Sequence, residues 1–295
     1  GTRGPTTNLS SGGPAGPWAA PARRVRYRPT DSVTAMGAAA DDNPAGNKTS
    51  AFAIQNGGNP ADPANQNIYN ADGANFNMGT GALLITELQY ATSLGGSDDG
   101  HGHKAEGLPG VYKLGGYYDT AKFPSYRYNN LGQPLGSAAD TTGIPKWKRG
   151  NWMIYGIVDQ MIWRPSADSP QSLAVFARAT GNSGDRNLIS FAVDAGVNFK
   201  APFKSRVNDT FGVGWGIGRP TYGQRGYDRR SGAMVQRNEN HVEVTYQAQV
   251  TPWWVLQPDF QYIWRPSGGV QDYGSAKYRR VRDEAILGLH SSINF

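Results

Sequence analysis

The sequence has no cysteine, so a disulfide, an iron–sulfur cluster and a zinc site built on thiolates are all excluded. It also has no apolar run of about 18 residues, which excludes a membrane-spanning helix but not membrane-spanning strands, whose sequence signal is weaker. There are only four histidines, and no grouping of serine, histidine and aspartate stands out. The net charge of +6 is scattered along the chain. Neither an enzyme nor a nucleic-acid partner is therefore indicated.

The composition is rich in glycine and aromatic residues and moderate in aliphatic ones. The chain has 39 Gly, 8 Trp and 15 Tyr, and 38% of its residues are hydrophobic. A soluble protein of this length usually carries more aliphatic residues in its core. A β-barrel with a wet interior needs fewer of them, because only its outward face is apolar.

The last stretch of the chain, residues 283–295, alternates with a period of two. This pattern predicts a strand about long enough to cross a bilayer when tilted. Its apolar or small positions are Ala285, Leu287, Leu289, Ser291, Ile293 and Phe295. A soluble edge strand of this kind invites aggregation, whereas closure into a barrel removes the edge. The final Phe295 resembles the assembly signal of bacterial outer-membrane barrels, which implies recognition by the barrel assembly machinery.

The same pattern recurs along the chain and predicts eleven strands, with no helix longer than a turn or two. The predicted strands are 22–28, 32–40, 82–90, 110–119, 151–163, 172–180, 188–199, 209–218, 240–250, 253–264 and 283–295. Most long connections (41–80, 120–149, 219–238, 265–282) alternate with short ones (164–170, 200–207, 251–252), and 92–109 and 181–187 are exceptions. Such alternation is typical of outer-membrane barrels, in which short turns face the periplasm and long loops face outside.

The odd number of strands has a consequence for the domain organisation. A single-chain bacterial barrel normally has an even number of strands, so we expect at least one upstream strand to be missing. Residues 1–295 are then part of a single outer-membrane β-barrel domain that lacks its N-terminal strands. The complete barrel would have about sixteen strands. We do not expect this segment to close alone, because two unpaired edges would face lipid.

The clearest strands have one apolar and one polar face. A soluble sandwich would bury the apolar face, whereas a barrel turns it to lipid, and the pattern alone does not separate the two. Aromatic residues at strand ends, such as Trp152, Trp163 and Phe199, favour the barrel. One of Asp159 and Gln160 is left towards lipid unless a bulge intervenes. The residues expected to face inward, with hydrogen-bonding groups along a wet wall, are Glu87, Arg178, Asp194, Glu243, Gln247, Gln257, Asp259 and Gln261.

Several segments, taken in order and spacing, resemble the carbohydrate-selective porin family, OprB. They are Gly150–Trp152, Asp159–Arg164, Leu173–Arg178, Asp185–Ile189, Asp194–Lys200, Glu243–Tyr246, Leu256–Tyr262 and the final strand. The resemblance is strong over residues 150–295, weaker over 22–119 and absent from the long loops. It implies an outer-membrane channel of about sixteen strands that passes glucose and other sugars down their gradients. The chain departs from the family in lacking its N-terminal portion, where some constriction residues would lie.

We therefore predict a passive, carbohydrate-selective porin of the bacterial outer membrane, with no catalytic step, no metal and no cofactor. Its expected partners are mono- and oligosaccharides and outer-membrane lipid, and a homo-oligomer is left open. One alternative is a plugged outer-membrane barrel with a role in adhesion or assembly. Another is a soluble β-sandwich that binds polysaccharide. Solute flux separates the first two, and solubility without detergent identifies the third.

Overall fold

Eleven strands form one antiparallel sheet in which each strand pairs with the next strand of the sheet along the chain. The computed structural model describes residues 21–42, 78–98, 104–105, 107–274 and 278–294. The strands of this sheet are β1 (Ala22–Tyr27), β2 (Val33–Asp41), β3 (Ala82–Leu94), β6 (Leu108–Asn129), β7 (Pro145–Trp163), β8 (Ser172–Asn182), β9 (Ile189–Lys200), β10 (Thr210–Pro220), β11 (Glu239–Thr251), β12 (Trp254–Trp264) and β13 (Glu284–Ile293). Two further short strands, β4 (Ser97–Asp98) and β5 (Lys104–Ala105), pair with each other between β3 and β6. The predicted all-β antiparallel fold is confirmed. Among the described residues the sheet is open, with β1 and β13 at its edges.

The connections define two ends of the sheet. The short-turn end carries the connections 28–32, 95–107, 164–171, 201–209 and 252–253, and the long-loop end carries 42–81, 130–144, 183–188, 221–238 and 265–283. Phe295 lies outside the described residues, so its predicted role at the end of the last strand stays a prediction.

One face of the sheet, here called the apolar face, exposes hydrophobic side chains on nearly every strand. Its exposed residues include Leu84, Leu88, Leu114, Ile154, Val197, Trp215, Val244, Phe260, Leu287 and Leu289. The pairing register carries this face from strand to strand, as Val197 lies opposite Val213 and Val213 lies opposite Val244. Exposed apolar surfaces of this extent are typical of interaction surfaces and of the outward face of membrane barrels.

Aromatic side chains cluster at the ends of the strands on this face. At the short-turn end the ring centroids of Trp163 and Phe199 lie 6.2 Å apart. At the long-loop end those of Tyr262 and Trp264 lie 4.9 Å apart in an edge-to-face arrangement. Amphipathic rings at both ends of an apolar band are typical of membrane-spanning strands.

The prediction of a loop over residues 120–149 is wrong. Strands β6 and β7 span 22 and 19 residues and continue to pair far into this segment, so that Lys122 lies opposite Arg149. A register shift between Asp119 and Lys122, together with Gly150 at φ 81°, marks where the pairing passes an irregularity. The extended parts of β6 and β7 lie beyond the apolar face and are largely polar. They therefore lack the apolar alternation by which a strand is recognised in a sequence.

The expectation of no helix longer than a turn or two is also wrong. Helix α1 (Tyr222–Ser231) lies within the predicted loop 219–238. Thr221 caps its N-terminus by accepting a hydrogen bond from the Gln224 amide at 3.1 Å, and Gly232 ends it in the left-handed conformation. Arg230 anchors it to the β6–β7 connection through a 2.8 Å hydrogen bond from Nε to the carbonyl of Leu135. In the part of the chain that the structure describes, no helix is long and apolar enough to cross a membrane.

The ambiguity between Asp159 and Gln160 is resolved by the register. Gln160 lies opposite Val175 on the apolar face, Asp159 lies on the other face, and a register shift follows between Met161 and Trp163. The Gln160 side chain is only 5% exposed. It accepts a 2.9 Å hydrogen bond from the Tyr112 hydroxyl and donates to the carbonyl of Met161 at 2.7 Å, so its polar atoms are satisfied despite their position.

Candidate functional site

All eight predicted inward-facing residues lie on the face opposite the apolar face, here called the polar face. The pairing register connects them, since Arg178 lies opposite Asp194, Glu243 opposite Gln261, and Asp259 opposite Thr245. The set is completed by Glu87 on β3, Gln247 on β11 and Gln257 on β12. This polar face extends from β3 to β13 and carries both charged and amide groups.

The first group of polar side chains lies on β3 and β7. The Tyr155 hydroxyl donates a hydrogen bond to the Glu87 carboxylate, and Gln89 Nε2 donates to the same carboxylate at 2.5 Å. Gly115 lies between Glu87 and Tyr155 in the pairing register. A Cβ atom at Gly115 would lie 2.4 Å from Tyr155 Cζ, so the contact across β6 requires glycine there. The Glu87 carboxylate is thereby fixed in position against the wall.

The second group surrounds Asp194. His241 Nε2 lies 3.8 Å from Asp194 Oδ1. Gly216 lies between these two residues in the register, and a Cβ there would lie 2.3 Å from His241 Cε1. Arg178, directly opposite Asp194, has its guanidinium 5.7 Å from the Phe176 ring centroid. The group therefore combines acidic, basic and aromatic side chains within a few neighbouring positions.

The third group lies on β11 and β12. Gln257 Nε2 donates a 2.9 Å hydrogen bond to the Thr245 hydroxyl, and Gln261 Nε2 donates to Asp259 Oδ2 at 3.1 Å. The Asp259 carboxylate lies over Gly288 of β13, where a Cβ would be 2.2 Å from Oδ1. Gln247 follows Thr245 on the same face of β11 and lies opposite Thr210, near the short-turn end.

A depression on the polar face joins the second and third groups. Its lining consists of Phe176, Asp194, Ala195, Asn198, Gly212, Val213, Gly214, Trp215, His241, Glu243, Thr245 and Gln257. Carboxylate, amide, hydroxyl and imidazole groups thus surround a glycine-rich floor. These groups can accept and donate hydrogen bonds to a hydroxylated solute.

Three of these polar-face side chains were not singled out from the sequence, although a signal was present. His241 shares its alternation with Glu243, Phe176 with Arg178, and Tyr155 with Asp159. Extending each period-two pattern by one or two positions would have placed them on the polar face. Their contacts could not have been found in this way, because contacts depend on the register between strands.

At the long-loop end, Asp185 ties three segments together. Lys148 donates a hydrogen bond to Asp185 Oδ2, Arg186 Nε donates to Oδ1 at 3.0 Å, and the Ser183 hydroxyl donates to Oδ1 at 2.8 Å. Burial raises the pKa of the Asp185 carboxyl, but these hydrogen bonds outweigh it and lower the pKa to about 2. The Tyr126 amide also donates to the Asp185 carbonyl at 2.8 Å, which joins the extended β6 to this loop.

Next to Asp185, the side-chain amides of Asn151 and Asn187 bond to each other reciprocally. Asn151 Nδ2 donates to Asn187 Oδ1 at 2.8 Å, and Asn187 Nδ2 donates to Asn151 Oδ1 at 2.9 Å. Both residues have 0% exposure. The pair fixes the loop 183–188 to the start of the regular part of β7.

A single antiparallel meander with one apolar and one polar face is typical of the wall of an outer-membrane β-barrel, the class of fold to which porins belong. The sequence model of the carbohydrate-selective porins, the OprB family, matches residues 2–295, and the chain belongs to this family. The resemblance found from the sequence is thereby confirmed.

Individual relatives agree with this assignment. The chain is 27% identical over 247 residues to Porin B of Pseudomonas aeruginosa, an alignment that covers 79% of this chain and 52% of that protein. The high pH structure of Pseudomonas putida OprB has the same fold, with a TM-score of 0.68 at 21% identity over 92% of this chain and 57% of that chain. The chain spans about half the length of the curated relatives it matches.

Proposed function

We propose that this chain forms part of the wall of an outer-membrane channel through which neutral sugars diffuse passively. The observation that carries the proposal is the position of Glu87, Arg178, Asp194, Glu243 and Asp259 on one face of the sheet, opposite a continuous exposed apolar face. Polar groups spaced along a wet wall replace water around a hydroxylated solute and bind it weakly enough for release. The family membership supports sugars as the solute class and a channel rather than an enzyme.

The domain proposal follows from the edges of the sheet. In the described residues β1 and β13 each have one unpaired side, and an unpaired edge is not tolerated in lipid. We infer that residues 1–295 belong to a single barrel whose remaining strands complete the sheet between these edges. The greater length of the curated relatives supports this proposal.

We propose that the apolar face contacts lipid and that the protein lies in the bacterial outer membrane. The aromatic residues at both ends of the strands support this orientation. We also propose that the barrel assembly machinery recognises Phe295. Association into a homo-oligomer is a further proposal.

Of the two alternatives, the soluble sandwich does not agree with the observed sheet, whereas the plugged barrel does and is tested by solute flux. A sandwich needs two sheets packed face to face, whereas the eleven strands form one continuous sheet with its apolar face exposed. A plugged barrel with a role in adhesion or assembly would have the same wall but would conduct no solute.

The experiment is liposome swelling with the full-length protein, comparing neutral sugars of increasing size with charged solutes of matched size. We expect glucose-sized sugars to enter fastest and Asp194→Asn or Asp259→Asn to slow their entry. Asp168→Asn, an exposed residue of a connection at the short-turn end, is the matched control and should have no effect.

The outcomes separate the hypotheses. Entry that depends on solute size alone would leave a porin without a sugar preference. No entry of any solute, from protein that folds in detergent, would contradict the channel and favour the plugged barrel. Equal slowing by Asp168→Asn would show that the effect of the wall variants is not specific to the wall.

A further inference from the structure

Phe176 is an aromatic residue on the polar face of the sheet. It lies opposite Asp159 on one side and Gly196 on the other, and Arg178 follows it on the same face of β8. Its ring is half-buried and lines the depression that also contains Asp194. The Arg178 guanidinium lies 5.7 Å from the ring centroid, yet the ring stays partly exposed, and apolar surface exposed to water costs free energy.

The ring fits on this wall because two neighbouring strands carry glycine beneath it. A Cβ at Gly196 would lie 2.7 Å from Phe176 Cζ, and one at Gly214 would lie 3.8 Å from the same atom. The ring therefore extends across β9 towards β10, over two positions that carry no side chain. The result is an apolar floor within the depression.

The rim of this floor is rich in hydrogen-bond acceptors. Glu243 follows Gly214 in the same register row, and the structure gives its carboxylate no hydrogen bond or ion pair with any described residue. Asp194 and Asn198 lie on β9 on the two sides of Gly196. Ionised carboxylates only accept hydrogen bonds, so they pair with hydroxyl donors and repel other anions.

We propose that the Phe176 depression is a binding subsite for the ring form of a neutral hexose, and that its carboxylate rim disfavours sugar acids. This inference rests on the proposed sugar channel and assigns a place and a selectivity to it. A pyranose presents apolar C–H groups on its faces and hydroxyl groups around its edge. Phe176 would cover the former, while Glu243, Asp194 and Asn198 bond the latter.

The subsite makes two discriminations that a merely polar wall does not. An open-chain alditol has as many hydroxyl groups as the sugar but no fixed apolar face, so it should bind more weakly. A sugar acid adds a carboxylate to a rim where the carboxylates of Glu243 and Asp194 outnumber the single guanidinium of Arg178, so net repulsion should weaken its binding. If Phe176 were only packed against the wall, neither difference would depend on it.

The test measures block of ion current by solute, with the full-length protein in planar bilayers. The probes are glucose, sorbitol and gluconate, and the variants are Phe176→Leu, Phe176→Tyr and Glu243→Gln. Ile286→Ala is the matched control, because Ile286 is an apolar residue on the polar face that lies outside the depression.

We expect Phe176→Leu to weaken glucose block by about three- to tenfold, the range of aromatic contact energies, with little effect on sorbitol. Phe176→Tyr and Ile286→Ala should preserve it, and Glu243→Gln should strengthen gluconate block relative to glucose.

An equal change for glucose and sorbitol in Phe176→Leu, or none for either, would overturn the subsite. Unchanged gluconate block in Glu243→Gln would overturn the charge selectivity. If glucose does not pass through the wild-type protein at all, the proposed function itself fails.

Discussion

The Tyr155 hydroxyl donates a hydrogen bond to the Glu87 carboxylate across the full width of an intervening strand. The two residues lie on β7 and β3, and Gly115 of β6 occupies the same register row between them. The same arrangement recurs where Asp194 and His241 meet over Gly216. A glycine between two polar residues therefore lets their side chains meet on the polar face.

Removal of the Tyr155 hydroxyl tests the first of these contacts. Tyr155→Phe leaves the Glu87 carboxylate with one hydrogen bond fewer, and we expect the free energy of unfolding to fall by about 1–3 kcal/mol. The measurement is urea unfolding of the full-length protein in detergent, followed by tryptophan fluorescence. Tyr118→Phe is the control, since Tyr118 is an exposed tyrosine of the apolar face. Equal losses in both variants would contradict the assigned role of the hydrogen bond.

Two glycines of β10 provide a matched pair for the second contact. A Cβ at Gly216 would lie 2.6 Å from Asp194 Oδ1, whereas a Cβ at Gly218, two residues further on the same face, would meet no atom within 4 Å. We expect Gly216→Ala to displace the side chains of Asp194 and His241 away from the wall and to change single-channel conductance. Gly218→Ala should leave conductance unchanged. The same conductance in both variants would show that the contact over Gly216 does not shape the lumen.

The Asp185 network predicts a defined dependence of stability on pH. The folded-state pKa of about 2 lies below the value of about 3.9 for an unfolded aspartate. The network therefore stabilises the folded state fully above about pH 4, and this contribution is lost as the pH falls towards about 2. Asp185→Asn should lower the unfolding midpoint at neutral pH, and its difference from wild type should shrink in that acidic window.

The control for this prediction is Asp168→Asn, whose side chain is exposed at the short-turn end. Its unfolding midpoint should follow that of the wild type at every pH. A constant difference between Asp185→Asn and wild type from pH 7 down to pH 2 would contradict the electrostatic origin of the effect.

The reciprocal amide pair of Asn151 and Asn187 predicts coupled effects on stability. Either residue changed to alanine removes the two hydrogen bonds of the pair from the buried amide that stays, which costs about 1–3 kcal/mol. The double variant removes both partners, so its loss should be smaller than the sum of the two single losses. Urea unfolding of the four proteins completes the cycle, and strictly additive losses would mean that the pair does not act as a unit.

The strands were predictable because they obey a local rule. In β9, the alternation from Phe191 to Phe199 places apolar residues on one face of the sheet, and this face is visible in the sequence. The eight candidate residues share one face of the sheet for the same reason, and their role as pore-lining residues stays a prediction. Their hydrogen bonds were not predictable, because the Tyr155–Glu87 contact joins residues 68 positions apart and depends on the register of three strands.

The helix and the extended hairpin were missed for a different reason. The segment of α1 contains Gly223 and Gly226 and no apolar period, so its internal residues do not favour a helix. Its capping residues, Thr221 and Gly232, were the available signal. Beyond Asp119, β6 is held by distant partners rather than by its own pattern, as the Tyr126 amide bonds to the Asp185 carbonyl.

The segments at the long-loop end are joined in large part by main-chain atoms. The Gly223 amide donates to the Gly184 carbonyl at 3.1 Å, and the Thr221 amide donates to the Leu188 carbonyl at 2.9 Å. Such bonds survive most side-chain replacements, so the geometry of the long-loop end can persist while its exposed residues diverge. The exposed residues of this end can thus change independently of the polar face, and we expect the two parts of the chain to tolerate substitution to different extents.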